Sequence, residues 1–233
     1  MYNELLSLAI TFILALAWLR VNDFFAHRGW VSSAISRKII HIGTGPIFVL
    51  CWLLFKENSS RLLAALVPLL ITIQFFLVGS GIIRDQVAVQ AMSRSGDRRE
   101  ILRGPLFYGI IFVAMTIIYW KDSPIGIIAL MIMCGGDGLA DIIGREIGKK
   151  KLSWNSQKSW SGSIAMFAGG YSLTFFILGI YIALGVFSIS IKDIAFPLLL
   201  ICLVATWVES LPLPEVDNIT TTLSAILLGH LLL

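Results

Sequence analysis

Apolar runs long enough to cross a lipid bilayer recur along the whole of this 233-residue sequence. A transmembrane helix needs about 20 mostly apolar residues. The chain is 57% hydrophobic and only 14% charged, whereas a soluble domain carries about 25% charged residues. These features predict an all-α, polytopic transmembrane bundle that forms a single domain over residues 1–233, with about seven to eight spans. The spans are expected at 4–21, 39–55, 62–83, 105–120, 124–142, 162–186, 194–209 and 219–233.

The basic residues are unevenly distributed among the connections between these spans. The connections after the first, third and fifth spans carry 4, 5 and 5 Lys or Arg, which makes 14 of the 18 in the chain. Because basic loops stay in the cytoplasm, we expect these connections there and the N-terminus outside. Residues 4–21 are interpreted as a first span and not as a signal peptide. The net charge of +4 is normal for loops that face anionic lipid, so no nucleic-acid partner is expected.

A pair of aspartates stands at the end of the fifth predicted span, in the stretch GGDGLADIIG. Asp137 and Asp141 are four residues apart, so a helix places them on one face, with Gly144 on the same stripe. Two such carboxylates repel each other unless a cation lies between them, and Mg²⁺ is held by one or two carboxylates plus phosphate oxygens and water. The pair is a candidate metal site. The alternative is a solvated helix end whose glycines pack against neighbouring helices.

The basic stretch KKKLSWNSQKSWSGS follows at residues 149–163. Lys158 lies among small hydroxyl residues just before the sixth predicted span. Lysine beside Ser and Gly at a helix start suits phosphate binding, because backbone amides and the helix dipole add to its charge. Adjacent lysines such as those at 149–151 are also typical of membrane-surface anchors. The candidate nucleotide-binding residues of this region are Arg145, Lys149, Lys158, Ser159 and Gly162.

An acidic connection, VESLPLPEVDN, precedes the last predicted span on the same side as the basic connections. Asp217 and Asn218 open that span. An aspartate at a helix start is an ordinary N-cap, but its predicted placement beside the other polar motifs makes Asp217 a candidate catalytic acid. Asn218 is a candidate nucleotide contact for the same reason.

Two further motifs, SRKIIHIG and RREILRGPLFYG, begin the second and fourth predicted spans. Arg37, Lys38 and His41 lie within about one helical turn, and Arg103 lies in the other motif. Such cations can bind phosphate or pair with a site carboxylate. Snorkelling at the membrane boundary is the alternative.

Carboxylates, cations, glycines and hydroxyls therefore gather on one predicted face. Phosphoryl transfer uses this set, since its catalysis rests on metal binding, alignment and charge neutralisation. The stretch GDGLADIIGREIGKKKLSWNSQKSWSGSIAMF, together with the three motifs above, resembles the phytol kinase group of the polyprenol kinase family. That family includes dolichol kinase and, more distantly, phosphatidate cytidylyltransferase. The resemblance covers nearly the whole chain after the first predicted span.

The resemblance implies an integral membrane enzyme that uses CTP and Mg²⁺ to phosphorylate a prenyl alcohol, phytol above all, for tocopherol biosynthesis. Its site is expected on the cytoplasmic side of a thylakoid or plasma membrane. Asp137 is then the principal metal-associated carboxylate, assisted by Asp141 or Asp217, and Lys158 binds the nucleotide phosphates. Asp217 is also the candidate acceptor of the hydroxyl proton. Asp141 stands where dolichol kinases have serine, and Val216 where relatives often have a second Asp.

Two alternatives stay open at this point. In a cytidylyltransferase, a lipid phosphate attacks the α-phosphorus of CTP and releases pyrophosphate. A transporter or lipid-binding membrane protein turns over no nucleotide, and its polar groups more often lie at mid-membrane between two repeated halves.

Overall fold

The computed structural model describes residues 2–93, 95–213 and 216–233. Arg94 of the basic connections, and Pro214 and Glu215 of the acidic connection, lie outside the described residues. Within these ranges the chain folds into ten α-helices and one short antiparallel hairpin. The elements are α1 (Tyr2–His27), α2 (Ser33–Cys51), α3 (Arg61–Ser80), α4 (Gln86–Met92), α5 (Gly104–Ile118), α6 (Pro124–Met131), a π-helical turn (Ile132–Asp137), α7 (Gly138–Glu146), β1 (Lys151–Leu152), β2 (Asn155–Ser159), α8 (Trp160–Ala183), α9 (Ile191–Glu209) and α10 (Asp217–Leu232), with 3₁₀ turns at Trp52–Leu54, Asn58–Ser60 and Arg98–Leu102.

The prediction of an all-α membrane bundle is confirmed. Seven helical stretches of the described chain are long and apolar enough to cross a membrane. The eighth predicted span is α10, which has 16 residues. At 1.5 Å per residue it is about 24 Å long, shorter than the ~30 Å hydrocarbon core. The hairpin and α4 were not predicted, because each is too short to show a clear hydrophobic period.

The segment from Pro124 to Glu146 forms the centre of the bundle. Of its most apolar stretch 78% is buried, against 17–39% in the other six spans. Its π-helical turn joins α6 to α7 and packs closely on α8: a Cβ at Gly135 would lie 3.1 Å from the Gly169 carbonyl oxygen and 2.7 Å from Leu173 Cδ2. Glycine is therefore needed for this approach, and Asp137 is the last residue of the turn.

Four connections meet at one end of the bundle, which we call the site end: α1 to α2, α3 to α5, α7 to α8, and α9 to α10. We call the other end of the bundle the opposite end. Hydrogen bonds between α1 and two connections hold it together. There the Lys56 amide donates to Glu4 Oε1 at 3.0 Å, and Lys121 Nζ donates to the Phe55 carbonyl at 2.6 Å. These bonds connect α1, the α2–α3 connection and the α5–α6 connection.

An aromatic cluster fills the interior towards the opposite end. Trp52, Phe55 and Trp120 are fully buried, and the rings of Trp52 and Trp120 lie 5.1 Å apart between centroids. Phe48 packs on Trp52 from the side of the site end, and its ring lies 5.7 Å from that of Phe112. This cluster packs α2 and the connection after it against α5 and the connection after that helix.

Candidate active site

A cavity of about 1220 Å³ opens at the site end and extends into the bundle. All the predicted site residues except Lys149 line it. They are Arg37, Lys38, His41, Arg103, Asp137, Asp141, Arg145, Lys158, Ser159, Gly162, Asp217 and Asn218. The cavity therefore collects side chains from α2, the α3–α5 connection, α7, the hairpin, α8 and α10.

One side of the cavity holds the two aspartates and a lysine between them. Lys38 Nζ lies 3.3 Å from Asp137 Oδ2 and 3.2 Å from Asp141 Oδ2. All three side chains are largely shielded from solvent. The two carboxylates thus share one face, as their spacing predicts, and in this structure the cation between them is the ammonium group of α2.

His41 completes this group, because its Nε2 lies 3.4 Å from Asp137 Oδ2 and 3.2 Å from the Met133 carbonyl oxygen. Both neighbours are hydrogen-bond acceptors, so Nε2 carries the hydrogen of the neutral ring and Nδ1 is left as the acceptor nitrogen. The ring also packs against that of Tyr108, with the two planes tilted by 37° and the centroids 4.4 Å apart. The Tyr108 hydroxyl donates to the His41 carbonyl at 2.9 Å.

The other side of the cavity holds Lys158 among carboxylates. Lys158 forms an ion pair with Glu209, which is almost fully buried, and its Nζ lies 3.7 Å from Asp217 Oδ2. Burial alone would lower the pKa of Lys158, but the attraction of Glu209, with Asp137 and Asp217 at longer range, outweighs it and raises the pKa. Lys158 is therefore a cation at physiological pH.

The hairpin holds Lys158 in this position. Asn155 Nδ2 donates to the carbonyl oxygens of Ser210 and Leu211 at 3.1 and 3.3 Å, and Trp154 Nε1 donates to Ser210 Oγ at 3.1 Å. These bonds fix the hairpin to the end of α9. Lys158 was predicted at a helix start, but it lies on β2, two residues before α8 begins at Trp160.

The start of α8 is closely packed. Ser159 is its N-cap, and Ser159 Oγ accepts from the Gly162 amide at 3.2 Å. A Cβ on Gly162 would lie 3.4 Å from Gly144 Cα and 3.2 Å from the Ala140 carbonyl oxygen. Gly162 thus lets α7 and α8 meet, and its amide already has a partner within the chain.

The remaining predicted residues take varied positions. Arg37 lines the cavity and donates through Nη1 to the Ser93 carbonyl at 3.1 Å, while Arg145 Nε pairs with Asp141 Oδ1 at 2.8 Å. Arg103 and Asn218 also line the cavity. Lys149 is exposed and lies outside the cavity wall.

Several cavity residues were not singled out from the sequence as site residues. Glu209 was read only as the end of an apolar span, although an acid at that place is a recognisable signal. Lys151, on β1, lines the wall where Lys149 was expected. Tyr108 lies in the motif RREILRGPLFYG, but it was not singled out there because it belongs to the apolar part of the motif, on α5.

The cavity continues towards the aromatic cluster as an apolar arm between α1, α2, α3 and α5. Its principal lining residues are Ala15, Ile47, Phe48, Val67, Ile71 and Phe112. The few polar side chains here are internally bonded. Thr11 and Thr44 donate to the carbonyls four residues earlier at 2.7 and 2.6 Å, and Trp18 Nε1 donates to the Ile40 carbonyl at 3.3 Å. The arm therefore presents an apolar surface.

Comparison with known proteins identifies several close relatives. The chain is 40% identical to the "Probable phytol kinase, chloroplastic" of Triticum aestivum over 94% of its own length and 74% of the relative. It is 38% identical to "Phytol kinase 1, chloroplastic" of Arabidopsis thaliana, over 88% of this chain and 68% of that one. It is 36% identical to the Arabidopsis "Farnesol kinase, chloroplastic", over 99% and 76%. No family model and no solved structure matches the chain.

The chain belongs to the phytol kinase family. Identity of 36–40% over most of both chains establishes this membership. The phytol kinase resemblance seen in the sequence motifs is thereby confirmed. The names of these relatives describe enzymes that phosphorylate prenyl alcohols. Such an enzyme binds two substrates, a phosphoryl donor and the alcohol, and its cavity must accommodate both.

Proposed function

We propose that this protein transfers the γ-phosphoryl group of CTP to the hydroxyl of a prenyl alcohol, with phytol as the first candidate. The observation that carries the proposal is the continuity of one cavity from the charged group around Asp137 and Lys158 to the apolar arm at Phe48 and Phe112. Nucleotide phosphates need cations, and an isoprenoid chain needs a surface without unpaired polar groups. The relatives named as phytol and farnesol kinases support this choice of acceptor.

The hydroxyl of the alcohol is assigned to the junction between the charged part and the apolar arm of the cavity. His41 and Tyr108 lie there, next to Asp137, whereas Asp217 lies across the cavity beside Lys158. This arrangement favours His41 and Asp137 over Asp217 as the groups that orient the hydroxyl. With Nε2 donating to the Met133 carbonyl, Nδ1 is the ring nitrogen of His41 that can accept the hydroxyl hydrogen bond.

The phosphates of the nucleotide are assigned to the charged sides of the cavity. Lys158 supplies a fixed positive charge, and Lys38, Arg145 and Lys151 line the same space. These cations offset the charge that spreads over the phosphate oxygens as the phosphoryl group moves, which is the main requirement of this reaction class.

The reaction class implies Mg²⁺, and Asp137 and Asp141 are suited to hold it. Their carboxylate oxygens are hard ligands and lie close enough together to share a single cation, as their contacts with Lys38 Nζ demonstrate. Among the described residues no group of three or more His, Cys, Asp or Glu could hold a metal. Phosphate oxygens and water would therefore complete the coordination. When bound, Mg²⁺ would neutralise phosphate charge.

The transfer itself forms one bond and breaks one. The alcohol oxygen bonds to the γ-phosphorus while the bond from the γ-phosphorus to the bridging oxygen breaks, so that CDP leaves. The proton lost by the alcohol passes to His41 or Asp137, or to the phosphate product, since a loose transition state does not require a strong base.

The site end is assigned to the cytoplasm or its equivalent in a plastid, because most basic residues lie in its connections. Ser153 in the hairpin and Ser59 at the opposite end are both exposed, and Cys51, Cys134 and Cys202 are buried. Single cysteines introduced by Ser153→Cys and Ser59→Cys thus form a matched pair for labelling with an impermeant maleimide. In right-side-out vesicles only Ser59→Cys should be labelled; labelling of Ser153→Cys alone would reverse the assignment.

A product analysis tests the proposed activity. Purified protein in lipid nanodiscs is incubated with phytol, farnesol or geranylgeraniol and with CTP or ATP, in Mg²⁺ or in EDTA, and the products are identified by mass. The expected products are CDP and a prenyl monophosphate, formed only with Mg²⁺. Pyrophosphate with a CDP-lipid would indicate a cytidylyltransferase, and absence of nucleotide turnover a lipid-binding or transport protein; either result contradicts the proposal.

A further inference from the structure

A second, shallow cavity of about 490 Å³ lies on the outer surface between α1 and α2, and we call it the α1–α2 groove. Its wall is apolar. The residues that line this groove and not the larger cavity are Leu14, Ala17, Val21, Leu50, Cys51 and Leu54. Several of them are exposed on the outside of two helices that are long and apolar enough to cross a membrane. The groove therefore faces lipid.

The groove adjoins the apolar arm. Trp18 and Ile47 line both, so their side chains form the partition between the arm and the groove. The Trp18 ring lies directly on α2, because a Cβ at Gly43 would be only 2.6 Å from Trp18 Cε2. Glycine at position 43 thus provides the space that the indole ring occupies.

The partition is weakly held. Trp18 Nε1 donates to the Ile40 carbonyl at 3.3 Å, beyond the usual range of about 2.7–3.2 Å. That carbonyl also accepts from Thr44 Oγ1 at 2.6 Å, so it keeps a partner when the indole moves. The span that carries Trp18 is only 17% buried, the lowest value among the seven spans. Trp18 can therefore move without disturbing the centre of the bundle.

A prenyl chain is longer than the arm. On α2 the arm runs from His41 to Phe48, about 10 Å. An extended chain advances about 1.2 Å per single bond, so the main chain of phytol, with about sixteen carbons, measures about 18 Å. Further along α2 lies the buried ring of Trp52, packed on Phe48 at 6.0 Å. To the side, the groove continues from Ile47 to Leu54 for about 10 Å, so arm and groove together match the chain.

We propose that the prenyl chain leaves the arm between Trp18 and Ile47, and that its distal half lies in the α1–α2 groove. The inference rests on the proposed kinase function, because that function places the hydroxyl near His41. The same passage gives an alcohol dissolved in the membrane a lateral route into the cavity. Geraniol, with about eight carbons in its main chain and a length of about 10 Å, stays within the arm.

The test compares kcat/KM for phytol and for geraniol in lipid nanodiscs. Ala17 lines the groove and not the arm, so Ala17→Phe fills the groove alone. The ratio of phytol to geraniol should fall about tenfold or more, since even one methylene that no longer fits costs about that factor. Ala9→Phe is the matched control: Ala9 is exposed on the same helix and lines neither cavity. Its ratio should stay within about twofold of wild type.

The outcomes separate this inference from the proposed function. If the wild-type protein phosphorylates neither alcohol, the proposed function fails. If the protein is active and Ala17→Phe keeps the wild-type ratio within about twofold, the passage is refuted. An equal fall of the ratio in Ala9→Phe would also refute it, because the effect would then not depend on the groove.

Photo-cross-linking of the wild-type protein follows the path of the chain without turnover and without any variant. The probe is phytol with a diazirine at the end far from its hydroxyl, and the attachment sites are located by mass spectrometry. Attachment is expected on the groove residues Leu14 and Leu50. Attachment confined to Ile71 and Phe112 would show that the whole chain folds within the arm, and attachment to lipid alone would show that the groove is empty. Either result overturns the proposal.

Discussion

Lys121 at the opposite end and Lys158 at the site end are both partly buried lysines, yet their pKa values move in opposite directions. Burial lowers the pKa of Lys121, and this effect prevails over the attraction of Glu4 and Asp122. The main contact of its Nζ is the neutral backbone carbonyl of Phe55. Lys121 therefore has a structural role: it links the α5–α6 connection to the α2–α3 connection.

Lys158 is also partly buried, but it faces carboxylates. Glu209 pairs with it directly, and Asp217 and Asp137 add to the attraction, so the net shift of its pKa is upward. Lys158 therefore belongs to a group of charged side chains that line a cavity large enough to admit a ligand. The comparison teaches that a buried charge alone does not mark a site, whereas several charges that line one cavity do.

The largest expected effect comes from exchanging one aspartate at each end for asparagine. Asp137→Asn removes the proposed metal ligand and a neighbour of His41, so prenyl phosphate formation should fall on the order of 10³-fold. The fold should persist, because Lys38 keeps Asp141 as a partner and the loss is about 1–3 kcal/mol. Initial rates and thermal unfolding in detergent measure both quantities.

Asp122→Asn is the matched control for this prediction. Asp122 pairs with Arg61 at 2.5 Å in a partly exposed position at the opposite end, where such pairs contribute about 0.2–1 kcal/mol. Activity should stay within about twofold of wild type. Equal loss of activity in the two variants, or substantial activity in Asp137→Asn, would contradict the division between the two ends.

The next effect concerns the lysines themselves. Lys158→Met should lower kcat/KM for the nucleotide by about 10²-fold and destabilise the fold by about 3–5 kcal/mol, because Glu209 is left buried without its partner. Lys121→Met removes one hydrogen bond, worth about 1 kcal/mol, and should leave activity nearly unchanged. Nucleotide titrations and unfolding curves provide the measurements.

A double variant separates the two roles of Lys158. In Lys158→Met/Glu209→Leu no buried charge lacks a partner, so stability should return towards wild type while activity stays low. If activity returned together with stability, Lys158 would be a structural residue like Lys121, and its assignment to the phosphates would be wrong.

The elements that hydropathy controls were predictable, and those that tertiary contacts control were not. Seven long apolar helices follow from the sequence because backbone groups in lipid must bond within their own segment. The gathering of Asp137, Lys158 and Asp217 in one cavity also follows, since all three end or begin segments on the same predicted side. The roles of these three residues are predictions, and the variants above test those of Asp137 and Lys158.

Other features depend on contacts between distant segments. The Asn155 bonds to the α9 end make the hairpin, and no local pattern announces them. The π-helical turn before Asp137 depends on how closely Gly135 meets α8. Lys149 was predicted as a nucleotide contact, but in the structure Lys151 lines the cavity and Lys149 does not. The hairpin decides which of the three adjacent lysines faces the cavity, and the sequence does not show this.

The smallest effect is the pH dependence of stability, and its sign differs between the two lysines. The usual lysine pKa is about 10.4. With its pKa raised in the folded state, Lys158 keeps its proton above this value while the unfolded chain loses it. Its stabilising contribution is therefore complete below about pH 10.4 and is lost as pH rises through the folded pKa.

Lys121 behaves in the reverse sense. Because its folded pKa is lowered, the folded protein releases this proton first, and stability rises as pH climbs from the folded pKa towards about 10.4. In alkaline unfolding series, Lys121→Met should remove that rise, and Lys158→Met/Glu209→Leu should flatten the decline at higher pH. The contrary result is that both variants change the pH dependence of the free energy of unfolding in the same direction. The two lysines would then have the same kind of environment, and the contrast between a structural lysine and a ligand-binding lysine would be wrong.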